Sequence, residues 1–296
     1  MELGNIGTAM VTPFSPEGTI DFKKTADLLE HLIANGTDSV VVSGTTGESP
    51  TVTEAEKKEL LDFVVKTVNK RIPVIAGTGT NGTAESIDLT KAAESAGADG
   101  IMLVTPYYNR PDQQGMYAHF AAIANETKLP VLLYNIPSRS VVNLLPETII
   151  ELSKIDNIKA VKEASGSLEQ MAAIIENTAD DFQVYSGDDS LTLPLLAVGG
   201  RGIISVSAHV VGNEMQQMIQ AFQKGGMKEA AKIHRALLPV FSALFSAPNP
   251  VPVKYALKKA GISVGGVRLP LVELEPEQTA LIDLALENFK KNQLIL

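Results

Sequence analysis

The stretch RIPVIAGTGTNGTAESIDLTKAAESAGADGIMLVTPYY, residues 71–108, holds one full period of the pattern on which the chain is built. An apolar run, Pro73 to Ala76, leads into the polar loop GTGTNG (Gly77 to Gly82). A segment of helical periodicity follows, TAESIDLTKAAESAGAD, and then a second apolar run, Gly100 to Thr105. Runs that are apolar throughout, rather than alternating, are buried on both faces, as parallel strands covered by helices are. Comparable runs recur at Ile6 to Val11, Ser39 to Ser43, Pro130 to Tyr134, Ile158 to Lys162, Phe182 to Ser186 and Gly202 to Val206. Between them lie helix-period segments such as FKKTADLLEHLIANG and TEAEKKELLDFVVKTVNK, several closed by a glycine C-cap signal. Eight such units predict an α/β fold, a closed (β/α)8 TIM barrel over residues 1–225. Residues 226–296, with KEAAKIHRALLPVFSALF and EPEQTALIDLALENFKKN, read as a C-terminal helical appendage packed on that barrel. No Pro/Gly/Ser-rich linker divides the two.

Composition narrows the partners. Hydrophobic residues make up 45% and charged residues 20% of the 296, a globular balance, and the net charge is −9. An acidic surface repels phosphates, which argues against nucleic acid. There is no cysteine, so disulfides and thiolate metal sites are excluded and a cytoplasmic location is expected. The N-terminus lacks the pattern of a signal peptide, and no run approaches the roughly 18 apolar residues of a membrane span. The four histidines, His31, His119, His209 and His234, show no metal-ligand spacing, and no histidine metal site is expected.

Chemistry in a barrel of this kind sits at the C-terminal ends of the strands. Those ends carry Thr12, GTTGE (Gly44 to Glu48), GTGTNG, TPYYNR (Thr105 to Arg110), YNIPSR (Tyr134 to Arg139), KEAS (Lys162 to Ser165), SGDDS (Ser186 to Ser190) and SVSA (Ser205 to Ala208). GTGTNG satisfies the glycine pattern of a dinucleotide-binding turn. However, it follows the third strand, and the next strand ends in TPYY rather than an acidic residue, so it reads as a tight loop. SGDDS reads as a solvated turn or helix N-cap rather than a metal pair.

Lys162 closes an otherwise apolar strand. It can snorkel out of the barrel or pair with Glu163, or it can serve as a Schiff-base lysine. At its ordinary pKa only about one lysine in 2,500 is a free amine at pH 7, and burial raises that share by disfavouring the charged form. Tyr134 ends the preceding strand and can relay protons, or it is a core tyrosine. Arg139 can offer a fork of donors to a carboxylate, or it is a surface arginine. Together these three suggest chemistry on a keto acid.

The motifs GTTGES, GTG-x-N, TPYYNRP, YNIPSR, KEASG, SGDD, GIISV and NPVPVK run in this order over nearly the whole chain. In that order and coverage the sequence closely resembles the dihydrodipicolinate synthase family. The resemblance implies a class I (Schiff-base) aldolase-type lyase of lysine and diaminopimelate biosynthesis. It would condense pyruvate with L-aspartate-4-semialdehyde to 4-hydroxy-tetrahydrodipicolinate, without a cofactor, as a homotetramer made of two tight dimers. It assigns the imine to Lys162 and the proton relay to Tyr134, Thr45 and Tyr108, Tyr108 coming from a neighbouring subunit. Substrate contacts fall to Thr46, Ile204, Gly187 and Arg139. The alternatives are other pyruvate aldolases, N-acetylneuraminate lyase and 2-keto-3-deoxy sugar-acid aldolases, against which PYYN and YNIPSR argue. Glu163 is given no role.

Ser49, Gly79, Asn81, Glu85 and Tyr107 resemble parts of the lysine effector site of feedback-inhibited family members. Where those members carry alanine and two histidines, this chain has Pro50, Glu54 and Lys57. Like-charge repulsion from Lys57 leads to the expectation of weak or absent lysine inhibition.

Overall fold

The computed structural model describes residues 3–293, so the outermost ends of the two expected regions, residues 1–2 and 294–296, lie outside it. Eight parallel strands form a closed barrel in sequential order: β1 (Ile6–Ala9), β2 (Ser39–Val42), β3 (Val74–Gly77), β4 (Gly100–Val104), β5 (Val131–Asn135), β6 (Ile158–Glu163), β7 (Gln183–Ser186) and β8 (Gly202–Ser205). Closure is made by β1, which pairs with β2 on one side and β8 on the other. All eight runs expected from sequence form these strands, with boundaries differing by one or two residues.

Helices between the strands start where the local chemistry dictates. The helix Glu54–Val68 opens on a capping box, in which Thr53 and Glu56 satisfy each other's backbone N–H groups. The helix Thr83–Ala96 stops at Gly97, which holds φ 81. The loop GTGTNG lies between β3 and that helix. Its Gly79 passes so close to β4 that a Cβ would meet Val104 N at 2.4 Å, so the glycine serves a close approach there.

Alternation along the strands separates two apolar layers. Residues pointing inward fill the barrel, among them Val41, Ile75, Met102, Leu132, Ala160, Tyr185 and Ile204. Residues pointing outward, such as Val40, Leu133 and Val161, pack beneath the helices. Because Leu132 and Ala160 face inward, so do Tyr134 and Lys162 two residues on, whereas Glu163 faces the helices. Beyond the barrel, the helix Met227–Leu244 packs on Ala208–Gln223, and Pro276–Gln293 packs on Met227–Leu244. No helix among the described residues is long and apolar enough to cross a membrane.

Candidate active site

Strand register brings the expected lysine and tyrosine together. Tyr134 on β5 pairs directly with Lys162 on β6, and Lys162 pairs in turn with Tyr185 on β7. Lys162 Nζ lies 4.2 Å from the centroid of the Tyr134 ring, and the lysine is only 5% exposed. Burial lowers its pKa to about 8. The Arg139 charge adds to that lowering, while the buried carboxylate of Asp189 opposes it. Roughly one amine in ten is then free at pH 7. Room for the lysine stem depends on Gly187, where a Cβ would meet Ala164 Cβ at 2.6 Å and Lys162 Cε at 3.1 Å.

Beside Tyr134 opens a cavity of about 540 Å³, lined by Ser43, Gly44, Thr45, Tyr134 and Arg139 among others. Burial pushes the Tyr134 phenol up to about 12, with Arg139 and a hydrogen bond to Thr45 pulling the other way. The phenol is therefore protonated at neutral pH and able to donate. Arg139 is exposed on the short helix Pro137–Ser140, at the cavity wall. Ile204 is buried on β8, two strands from Lys162, and Thr46 is buried with its hydroxyl held by Asn249 Nδ2 at 3.0 Å.

Of the predicted site residues, Thr45, Tyr134 and Arg139 line this cavity, whereas Lys162, Thr46, Ile204 and Gly187 are buried or packed beneath it and Tyr108 stands on the surface. It is 91% exposed and holds φ 73, a left-handed backbone that tyrosine rarely adopts. The effector-site candidates Ser49, Pro50, Glu54, Lys57, Gly79, Glu85 and Tyr107 line the same cavity, while the Asn81 carbonyl accepts from Asn109. Burial lowers the pKa of Lys57, against the charges of Glu85 and Glu54.

The contacts correct one expectation and settle one alternative. Asp189 of SGDDS is not part of a solvated turn: it is 1% exposed, and it accepts from Ser205 Oγ at 2.5 Å, Ser207 Oγ at 2.7 Å and Ser207 N at 3.0 Å. Only Asp188 acts as a cap, accepting from Ser190 N. Nor does Glu163 pair with Lys162, because neighbours on a strand point to opposite faces. Its carboxylate accepts from Asn135 Nδ2, Ser165 N and Gln170 Nε2 instead. Sequence reading also passed over Ser43, whose buried hydroxyl has no hydrogen-bond partner and which lines the cavity. Among the described residues, no group of three or more His, Asp or Glu side chains is placed to hold a metal ion.

A model of the dihydrodipicolinate synthetase family matches residues 2–288. The chain belongs to that family. It is 59% identical over 278 residues to the 4-hydroxy-tetrahydrodipicolinate synthase of Bacillus velezensis, covering 94% of this chain and 96% of that one. Among solved structures, a dihydrodipicolinate synthase from Bacillus anthracis is similar with a TM-score of 0.96 at 56% identity, over 97% of this chain and 98% of that one. One from Cyanidioschyzon merolae, solved with lysine bound, has a TM-score of 0.96 at 46% identity, with the same coverage of 97% and 98%. These family relatives favour the synthase over the sugar-acid aldolases.

Proposed function

We propose that Lys162 is the nucleophile with which this lyase condenses pyruvate and L-aspartate-4-semialdehyde to 4-hydroxy-tetrahydrodipicolinate. The observation that carries the assignment is the buried Lys162 amine, 4.2 Å from the Tyr134 ring at the catalytic end of the barrel. The amine attacks the pyruvate carbonyl, and loss of water gives an imine. Electrons withdrawn into that imine let the methyl group lose a proton and become an enamine. The enamine carbon bonds to the aldehyde, whose oxygen takes a proton. The substrate's own amine then displaces Lys162 as the ring closes, so that one water is released per turnover and the lysine is regenerated.

Tyr134 delivers and recovers protons, a role its protonated phenol and its hydrogen bond to Thr45 support. Tyr108 completes the relay from a second subunit, within a homotetramer built as a dimer of dimers. Its exposure and its left-handed backbone support that role. Thr46 and the Ile204 main chain hold pyruvate, Gly187 leaves space for the imine, and Arg139 receives the carboxylate of the semialdehyde. Of the described residues, 3–225 form the catalytic barrel and 226–293 the helical region packed on it.

Incubation with pyruvate and borohydride tests the assignment. A mass increment mapping to Lys162, absent in Lys162→Ala, is expected, together with loss of product from pyruvate plus the semialdehyde. An adduct on another residue refutes it.

A further inference from the structure

The stretch NPVPVK, Asn249 to Lys254, belongs to the C-terminal region, yet its two polar side chains end on the GTTGE turn. Asn249 Nδ2 donates to Thr46 Oγ1 at 3.0 Å, between two buried residues. That bond occupies a lone pair of the hydroxyl and leaves its proton free for another acceptor. Two residues on, Glu48 holds φ 55, a left-handed backbone that non-glycine residues avoid. Both of its carboxylate oxygens are committed: Oε1 accepts from Lys254 Nζ at 2.6 Å, and Oε2 accepts from Arg268 N at 2.9 Å.

The Glu48 and Lys254 side chains are only 1% and 3% exposed. Lys254 Nζ also donates to Gly266 O at 2.7 Å and lies 4.4 Å from the Phe14 ring centroid. Such a pair is satisfied as a unit, and loss of one partner leaves an uncompensated buried charge. From the other side of the turn, Thr12 Oγ1 donates to Gly47 O at 2.6 Å. Of this assembly only Gly44 and Thr45 of the turn line the catalytic cavity; Thr46 and Glu48, like Asn249, Lys254 and Arg268, stand behind them.

We propose that NPVPVK is a clamp that positions the pyruvate-binding turn. Asn249 fixes the Thr46 hydroxyl, and Lys254 acts through Glu48 to hold the backbone that carries Thr45 and Thr46. Both are positioning residues, and the proposal rests on the reading of Thr46 as a pyruvate contact.

The test combines Asn249→Ala, Thr46→Val and the double variant, with KM measured for each substrate and borohydride trapping at graded pyruvate. Asn249→Ala is expected to raise the pyruvate KM about 3- to 10-fold, the loss of one hydrogen bond. It should leave kcat within about twofold, the semialdehyde KM unchanged, and trapping complete at saturation. The double variant should be no worse than Thr46→Val alone, since one residue acts through the other. An unchanged pyruvate KM in Thr46→Val overturns the underlying reading of Thr46. A raised KM in Thr46→Val beside an unchanged one in Asn249→Ala, or additive losses in the double, overturns the clamp alone. Glu48→Gln combined with Lys254→Met removes both charges at once and leaves none unpaired. It should retain its circular dichroism, raise the pyruvate KM and lower kcat while leaving the semialdehyde KM unchanged, and a wild-type pyruvate KM there refutes the Lys254 half.

Discussion

Lys162→Met is expected to raise the stability of the protein while removing its activity. Burial holds the lysine at about 8, against an ordinary value of 10.5. At about 1.4 kcal/mol per unit, the charged form of Lys162 therefore costs the folded state about 3 kcal/mol at neutral pH. The sign follows from proton binding. Between pH 8 and 10.5 the unfolded chain keeps the proton that the folded chain has released, so stability rises with pH across that window. Below pH 8 the whole penalty is present. Methionine keeps an unbranched stem of similar length without the charge, so it fills the site and removes the penalty. For a chain of this size about 3 kcal/mol corresponds to roughly 5 °C in Tm. Thermal unfolding of both proteins at pH 7 and pH 9.5 provides the assay. The variant should unfold about 5 °C higher at pH 7, and slightly more than half of that margin should be gone at pH 9.5. A variant that melts at or below the wild type at pH 7, or a margin indifferent to pH, refutes the desolvated lysine.

The same shift predicts that kcat/KM for pyruvate rises with pH and is half-maximal near pH 8; a coupled assay showing the limb near 10.5 would contradict it. Arg139→Ala should raise the semialdehyde KM by about 10- to 100-fold, the worth of charge-assisted hydrogen bonds. The pyruvate KM should change little, and equal losses for both substrates would count against a carboxylate anchor. Free L-lysine below 1 mM should inhibit weakly or not at all, because Lys57 already presents a cation at the cavity beside Glu54 and Glu85; a clear dose response in initial rates would overturn that expectation.

The barrel was legible because its physics is local. A strand buried on both faces is apolar along its length, which marks runs such as PVLLY (Pro130 to Tyr134) without any knowledge of their partners. The same sequential order put Tyr134 beside Lys162. The direction in which Glu163 points was also available in principle, since alternation alone sends it away from its neighbour. Other features depended on residues far apart in the chain. The burial of Asp189 is created by Ser205 and Ser207, which meet it only when β7 and β8 are side by side. Lys254 and Glu48 are 206 residues apart in sequence, and no spacing rule links them. Tyr108 was assigned to a neighbouring subunit by resemblance alone, and its unusual φ is a backbone property that sequence does not display.

Tyr134 and Lys162 share one rung of the barrel, so their separation is set by the backbone ladder rather than by any loop. Arg139 rides on a four-residue helix outside that ladder. Under the roles proposed above, the pair that makes the enamine is spaced by the ladder and the group that receives the acceptor's carboxylate is not, although the Arg139 charge reaches both Lys162 and Tyr134. Exchange of loop segment 136–141 is therefore expected to alter the choice of aldehyde while leaving the Tyr134–Lys162 spacing in place. The architecture suits diversification, by evolution or at the bench, with the carbon nucleophile constant and the electrophile open to choice.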